Sequence, residues 1–102
     1  MIKLVRDKIP NIAKVKEQHR FRRITSDKKF LEALKQKLVE EAEEASGISS
    51  KEELILELVD IMEIISEIGK LLGATPAELE SLRKKKSREK GGFLKRIMML
   101  SR

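Results

Sequence analysis

No cysteine occurs anywhere in the 102 residues, which excludes a disulfide framework and thiolate chemistry and fits a reducing cytoplasm. Tryptophan and tyrosine are absent too, and the aromatics are three phenylalanines. Any core must therefore be built from Leu, Ile, Val, Met and Ala, the usual filling between packed helices. The single histidine, His19, lies between Gln18 and Arg20 and reads as a surface residue, not a base or ligand. Long uncharged apolar runs are missing as well. The most apolar stretch, 54–72, carries Glu57, Asp60, Glu63, Glu67 and Lys70, too much charge for a membrane span. The opening residues, Met1 to Lys8, lack the apolar run of a signal peptide, so a cytoplasmic location is expected.

What is present is charge, sorted by position. Residues 1–30 hold ten basic and three acidic side chains, residues 31–80 four and thirteen, and residues 81–102 nine and one. An acidic middle between basic ends suits a site for a metal-bound polyphosphate. It also suits plain attraction of opposite charges within the fold. The length is that of one domain, 1–102, with a modest core.

Helix signals dominate the chain. Pro10 suits the first turn of a short helix running to about Lys16. Residues 20–24 alternate weakly and read as a short strand or an extended linker. Ser26 or Asp27 is an N-cap for a helix that ends at Gly47, a suitable residue just past a helix end. Along it Leu31, Leu34, Leu38, Glu41 and Ala45 share one face, so Glu41 stands where packing calls for leucine.

Ser50-x-x-Glu53 reads as a capping box opening a second helix that reaches about Leu72 and stops at Gly73. Its apolar stripe of Leu54, Leu58, Ile61, Ile65, Ile68 and Leu72 is widened by Ile64 and Leu71, with Glu57 and Asp60 on its edge. Thr75-Pro76-Ala77-Glu78 is another capping box, opening a helix over 76–90 that Gly91-Gly92 breaks. The tail, 93–100, is apolar and basic by turns and reads as a short helix or as a strand beside 20–24; Met98-Met99 suits core filling or a subunit contact. The expected class is all-α: a helical hairpin or bundle of three to four helices with at most one short two-stranded β element. Helix 54–72 is apolar round more of its circumference than one such domain can cover, so a homo-oligomer is expected.

Two acidic clusters interrupt the apolar stripes: Glu40-Glu41-x-x-Glu44 and, after twelve intervening residues, Glu57-x-x-Asp60. Residues three apart share a helix face, so Glu41 with Glu44, and Glu57 with Asp60, form side-by-side pairs. A short turn between the helices brings the pairs opposite each other. Converging carboxylates repel and are costly to desolvate unless a cation sits among them, and hard divalent ions with oxygen ligands, Mg²⁺ above all, fit. The bland reading of the same acids is a solvated helix face, and it is retained for Glu43, Glu52 and Glu53. The basic run 83–90 likewise reads as an exposed face, as nonspecific attraction to nucleic acid, or as cations for phosphate oxygens. Gly91-Gly92-Phe93 reads as a helix stop with an anchoring aromatic or as phosphate-cradling backbone.

The acidic motif with its twelve-residue gap resembles the signature of the all-α nucleoside triphosphate pyrophosphatases, among them MazG-like enzymes, all-α dUTPases and phosphoribosyl-ATP pyrophosphohydrolase. Lys3-Leu4-Val5-Arg6-Asp7-Lys8-Ile9-Pro10, Arg88-Glu89-Lys90-Gly91-Gly92-Phe93 and Lys95-Arg96-Ile97 look like a small single-domain branch of that group, so the resemblance spans nearly the whole chain. It implies Mg²⁺-dependent hydrolysis between the α- and β-phosphates of a nucleoside triphosphate, with Mn²⁺ able to substitute. By its pattern Glu41, Glu44, Glu57 and Asp60 would be metal ligands. Glu40 and Glu41 would be the catalytic pair, Glu40 either as an extra ligand or orienting the attacking water. Arg6, Lys8, Lys84, Arg88, Lys95 and Arg96 would meet the phosphate tail, and the assembly would be a homodimer or homotetramer. Two rivals stand beside this reading: a phosphoribosyl-ATP pyrophosphohydrolase of histidine biosynthesis, and a basic helical nucleic-acid-binding protein whose acids are structural.

Overall fold

A single 3₁₀ turn, Ile9–Asn11, and four α-helices make up the computed structural model, which describes residues 3–101. The helices are α1 (Ala13–Gln18), α2 (Asp27–Ser46), α3 (Lys51–Leu71) and α4 (Pro76–Lys90). Their starts follow from hydroxyl caps. Ser26 Oγ accepts from the Lys29 amide at 3.3 Å, Ser50 Oγ from Glu53 at 3.3 Å, and Thr75 Oγ1 from Glu78 at 3.1 Å. Each satisfies a backbone donor that the helix leaves unpaired, worth about 1 kcal/mol. The Thr75 hydroxyl also donates to the Glu78 carboxylate, whereas at α3 the Ser50 hydroxyl turns to Glu52. The helix expected from Pro10 is instead split, because extended Ile12 (ψ 117°) separates the 3₁₀ turn from α1.

α2 and α3 form the central hairpin, joined by residues 47–50; of the α3 stripe expected to face the core, Leu58, Ile65 and Leu72 are instead exposed, and Ile64 takes the buried place. Among the described residues, the buried apolar side chains are Leu34 from α2 and Ile64 from α3. α3 ends in a Schellman motif: the Ala74 amide bonds the Gly69 carbonyl at 2.8 Å and the Gly73 amide bonds Lys70 at 3.1 Å. Gly73 closes it with a φ of 78°, a conformation open to glycine at little cost.

α4 is seated on α3 at one point, where Leu79 meets Gly69. A Cβ on Gly69 would lie 2.9 Å from the Ala74 carbonyl oxygen and 2.9 Å from Leu79 Cδ1. Gly69→Ala is therefore expected to destabilise the fold. The overpacking cost of about 1–3 kcal/mol exceeds the gain in helix propensity of at most ~1 kcal/mol. A lower urea midpoint checks this, and an unchanged midpoint would show that α4 does not rest there.

The anticipated two-stranded element is not formed, since no strand occurs among the described residues. Residues 20–24 carry Arg20, Arg22 and Arg23, and the tail carries Lys95 and Arg96. Pairing them would set like charges opposite one another. Gly47 also departs from expectation: it caps α2 with an ordinary φ of −95° and uses no special freedom. Beyond Leu79 every described residue is exposed, and the radius of gyration is 17.2 Å against about 13 Å for a compact domain of this length. No helix among the described residues is long and apolar enough to cross a membrane.

Candidate metal centre

Because Glu41 occupies a leucine position on the α2 stripe, the fold carries its side chain inward, and it is 7% exposed. Glu57 comes from the facing side of α3 and is half-buried, while Glu44, one turn after Glu41, is exposed. One carboxylate oxygen from each of Glu41, Glu44 and Glu57 lies within 4.8 Å of the other two. The three thus step from the hairpin interior to solvent, which leaves an entry path for a small ion.

Electrostatics within the trio are strained. Glu57 Oε1 is cut off from solvent and has no hydrogen-bond donor in reach. A contact between two carboxyl groups becomes a hydrogen bond only if one is protonated. That shared proton with Glu41, together with desolvation and the charges of Glu41, Glu44 and Asp60, pushes Glu57 up to about 7. Glu41 moves the other way. The hydrogen bond with Glu57 holds it below the ordinary carboxylate range against the opposing effect of burial, helped by Lys37. Lys37 Nζ stands 3.2 Å from Glu41 Oε1, one helical turn before it. Sequence reasoning passed over Lys37, although its i, i+4 spacing to Glu41 was the available signal.

Asp60 lies outside the trio. Its Oδ1 accepts from Arg6 Nη2 at 2.6 Å, an ion pair that fastens the N-terminal segment to α3. This segment closes one side of a cleft of about 550 Å³, whose lining includes Arg6, Phe30, Leu34, Lys37, Glu41 and Asp60. Arg6 therefore lines the cleft together with Glu41 and Asp60. Lys8 is exposed beside the 3₁₀ turn, and Lys84, Arg88, Lys95 and Arg96 sit on exposed parts of α4 and the tail; none of these five lines the cleft. Glu40 is half-buried on α2 and is not among the three clustered acids. His19 is exposed, its ring Nδ1 3.2 Å from the Val15 carbonyl oxygen.

The donor set suits a hard cation. Three carboxylates converge, Lys37 pairs with one of them, and among the described residues one buried oxygen of the trio lacks a partner. Opposite ligands around one ion stand about 4 Å apart for Mg²⁺ and about 5 Å apart for Ca²⁺. The trio's oxygens lie within 4.8 Å of one another, inside the Ca²⁺ span, and would draw together slightly around the smaller Mg²⁺.

Fold and site together define a small all-helical protein whose central hairpin carries an acidic cluster able to hold a metal ion. Compared with protein-family models, curated proteins and solved structures, the chain matches none.

Proposed function

We propose that the protein is a Mg²⁺-dependent nucleoside triphosphate pyrophosphohydrolase, which adds water across the α–β anhydride to release a nucleoside monophosphate and pyrophosphate. The observation that carries this reading is the convergence of Glu41, Glu44 and Glu57 around an unpartnered buried oxygen, beside a cleft of nucleotide size. Glu41, Glu44 and Glu57 would hold the ion, with Asp60 one turn along α3 from Glu57. The ion, when bound, would lower the pKa of water and screen the phosphate charge.

The chain's own residues would do the rest. Phosphoryl transfer needs positioning and charge stabilisation more than a covalent nucleophile, so Lys, Arg and carboxylates suffice without Ser, Cys or His. Arg6 is held by Asp60. An arriving polyphosphate competes for its guanidinium, which leaves Asp60 free to face the ion. Glu40, next to Glu41, would serve as an extra ligand or orient the attacking water. Phe30, Leu34 and Ile64 give the cleft apolar surface that suits a base, and Arg6 and Lys37 give it cations that suit phosphates.

The deciding experiment is a panel of nucleoside triphosphates and phosphoribosyl-ATP with Mg²⁺ or Mn²⁺, scored for pyrophosphate against orthophosphate. Pyrophosphate and monophosphate in equal amounts, lost on chelation, are expected. Orthophosphate as the first product would mean that a different bond is cut. The exposed basic run of α4 favours a second reading, nucleic-acid binding. Salt-sensitive DNA or RNA binding that ignores both Mg²⁺ and Glu57→Gln, with no pyrophosphate released, would establish it instead.

A further inference from the structure

A chain of this length buries just Leu34 and Ile64 among its described apolar residues, while two apolar surfaces stand open. The first is the outer face of α3, where Ile55, Leu58, Val59, Met62 and Ile65 are 44–68% exposed on the side away from α2. The second is the C-terminal arm. Phe93, Leu94, Ile97, Met98, Met99 and Leu100 are 80–97% exposed, so the arm makes almost no use of its own chain. Monomers rarely leave such surfaces in water.

We propose that a second copy of the chain covers the outer face of α3, and that it does so by laying its C-terminal arm, residues 93–100, along that face. Three features select this occupant. The area suffices: at about 200 Å² for a fully exposed large side chain, the arm exposes on the order of 1,000 Å². A reciprocal pair that covers about half of each arm and an equal area of each receiving face buries on the order of 1,000 Å² per chain, against ~800 Å² per partner in a standard interface. The charges match, because Lys95 and Arg96 punctuate the arm, while exposed Glu52 and Glu63 border the apolar strip of α3. The reach is also right for exchange. α4 leaves α3 after Leu79 and carries the arm away from its own hairpin, where a neighbour's hairpin can receive it. Each chain holds one arm and one receiving face, so a reciprocal pair satisfies both and closes as a two-fold dimer. The arm leaves Gly91 at a φ of 81° and turns at Phe93–Arg96, where the Arg96 amide bonds the Phe93 carbonyl at 3.0 Å. The inference stands apart from the hydrolase reading and survives its failure.

Light scattering on the full chain is expected to give twice the 11.7 kDa chain mass. Met62→Lys on the face and Ile97→Lys on the arm should each halve it, with helical circular dichroism retained. If either variant fails to fold, cysteines decide, since the chain has none of its own. Met62→Cys and Met98→Cys proteins, mixed and oxidised, should give a mixed interchain disulfide. A mass of 11.7 kDa at every concentration would overturn the proposal, whether or not the arm then binds anionic vesicles. So would Met62→Cys pairing with itself in preference to Met98→Cys, or an intrachain disulfide when both substitutions are placed in one chain.

Discussion

Glu57→Gln is expected to lower Mg²⁺-dependent pyrophosphate release by ~100-fold or more, while the metal-free protein loses no stability. The first figure takes the upper end of what even outer-shell partners of a metal cost when altered, since Glu57 would touch the ion directly. The second follows from the crowding of acids. In the absence of metal the Glu57 carboxyl is held near Glu41, Glu44 and Asp60, and its Oε1 has no donor. Glutamine keeps the shape and cannot ionise, and its amide donates to Glu41 where a shared proton did before. Removing one partner of a favourable buried ion pair is strongly destabilising; removing one of several repelling acids is not. Turnover, together with urea midpoints in chelator, checks both halves. Unimpaired turnover would remove Glu57 from the site, and a clearly lower midpoint without metal would make its charge structural.

Mg²⁺ is expected to stabilise the fold strongly at pH 8 and hardly at all at pH 5.5. Glu57 rises from an ordinary 4.5 to about 7 in the folded protein. Between those values the native state holds a proton that the unfolded chain has released. Its contribution to stability is therefore complete below pH 4.5 and is lost as the pH climbs through about 7. Glu41 is lowered, so its own contribution fades only on acidification below the ordinary carboxylate range and leaves this window alone.

A bound cation replaces the proton, so its affinity weakens about tenfold per pH unit below 7, or roughly 30-fold at pH 5.5. With free Mg²⁺ at ten times its Kd at pH 8, the stabilisation is about 1.4 kcal/mol. That is a rise of roughly 6–11 °C in Tm for a domain of this size. At pH 5.5 the same Mg²⁺ gives only about 1 °C. Thermal melts at the two pH values check this, and equal shifts would show that the ion does not displace the Glu57 proton.

The hairpin was legible because its signals are local. Ser26, Ser50 and Thr75 announce helix starts by chemistry that acts within three residues, and the structure uses all three. The burial of Glu41 could be read from the leucine stripe it interrupts, and the meeting of Glu41, Glu44 and Glu57 from helical spacing plus a short turn. Contacts without periodicity were harder. Arg6 binds Asp60 across a sequence separation of 54, with nothing nearby in the chain to signal it. The run 83–90 shows the opposite failure. Its cations suggest phosphate, yet the helix axis decides what they can reach, and α4 departs from α3 after Leu79. The alternation at 20–24 gave a weak strand signal, and strand pairing depends on a partner that a cationic tail cannot supply.

Direct titration of the metal-free protein with Mn²⁺, followed by electron paramagnetic resonance, tests whether Glu41, Glu44 and Glu57 trap a divalent cation. Saturable binding is expected in the parent chain, lost in Glu41→Gln and Glu57→Gln and kept in Glu43→Gln, whose side chain is exposed and outside the cluster. Equal binding by all four proteins, or by none, would contradict it.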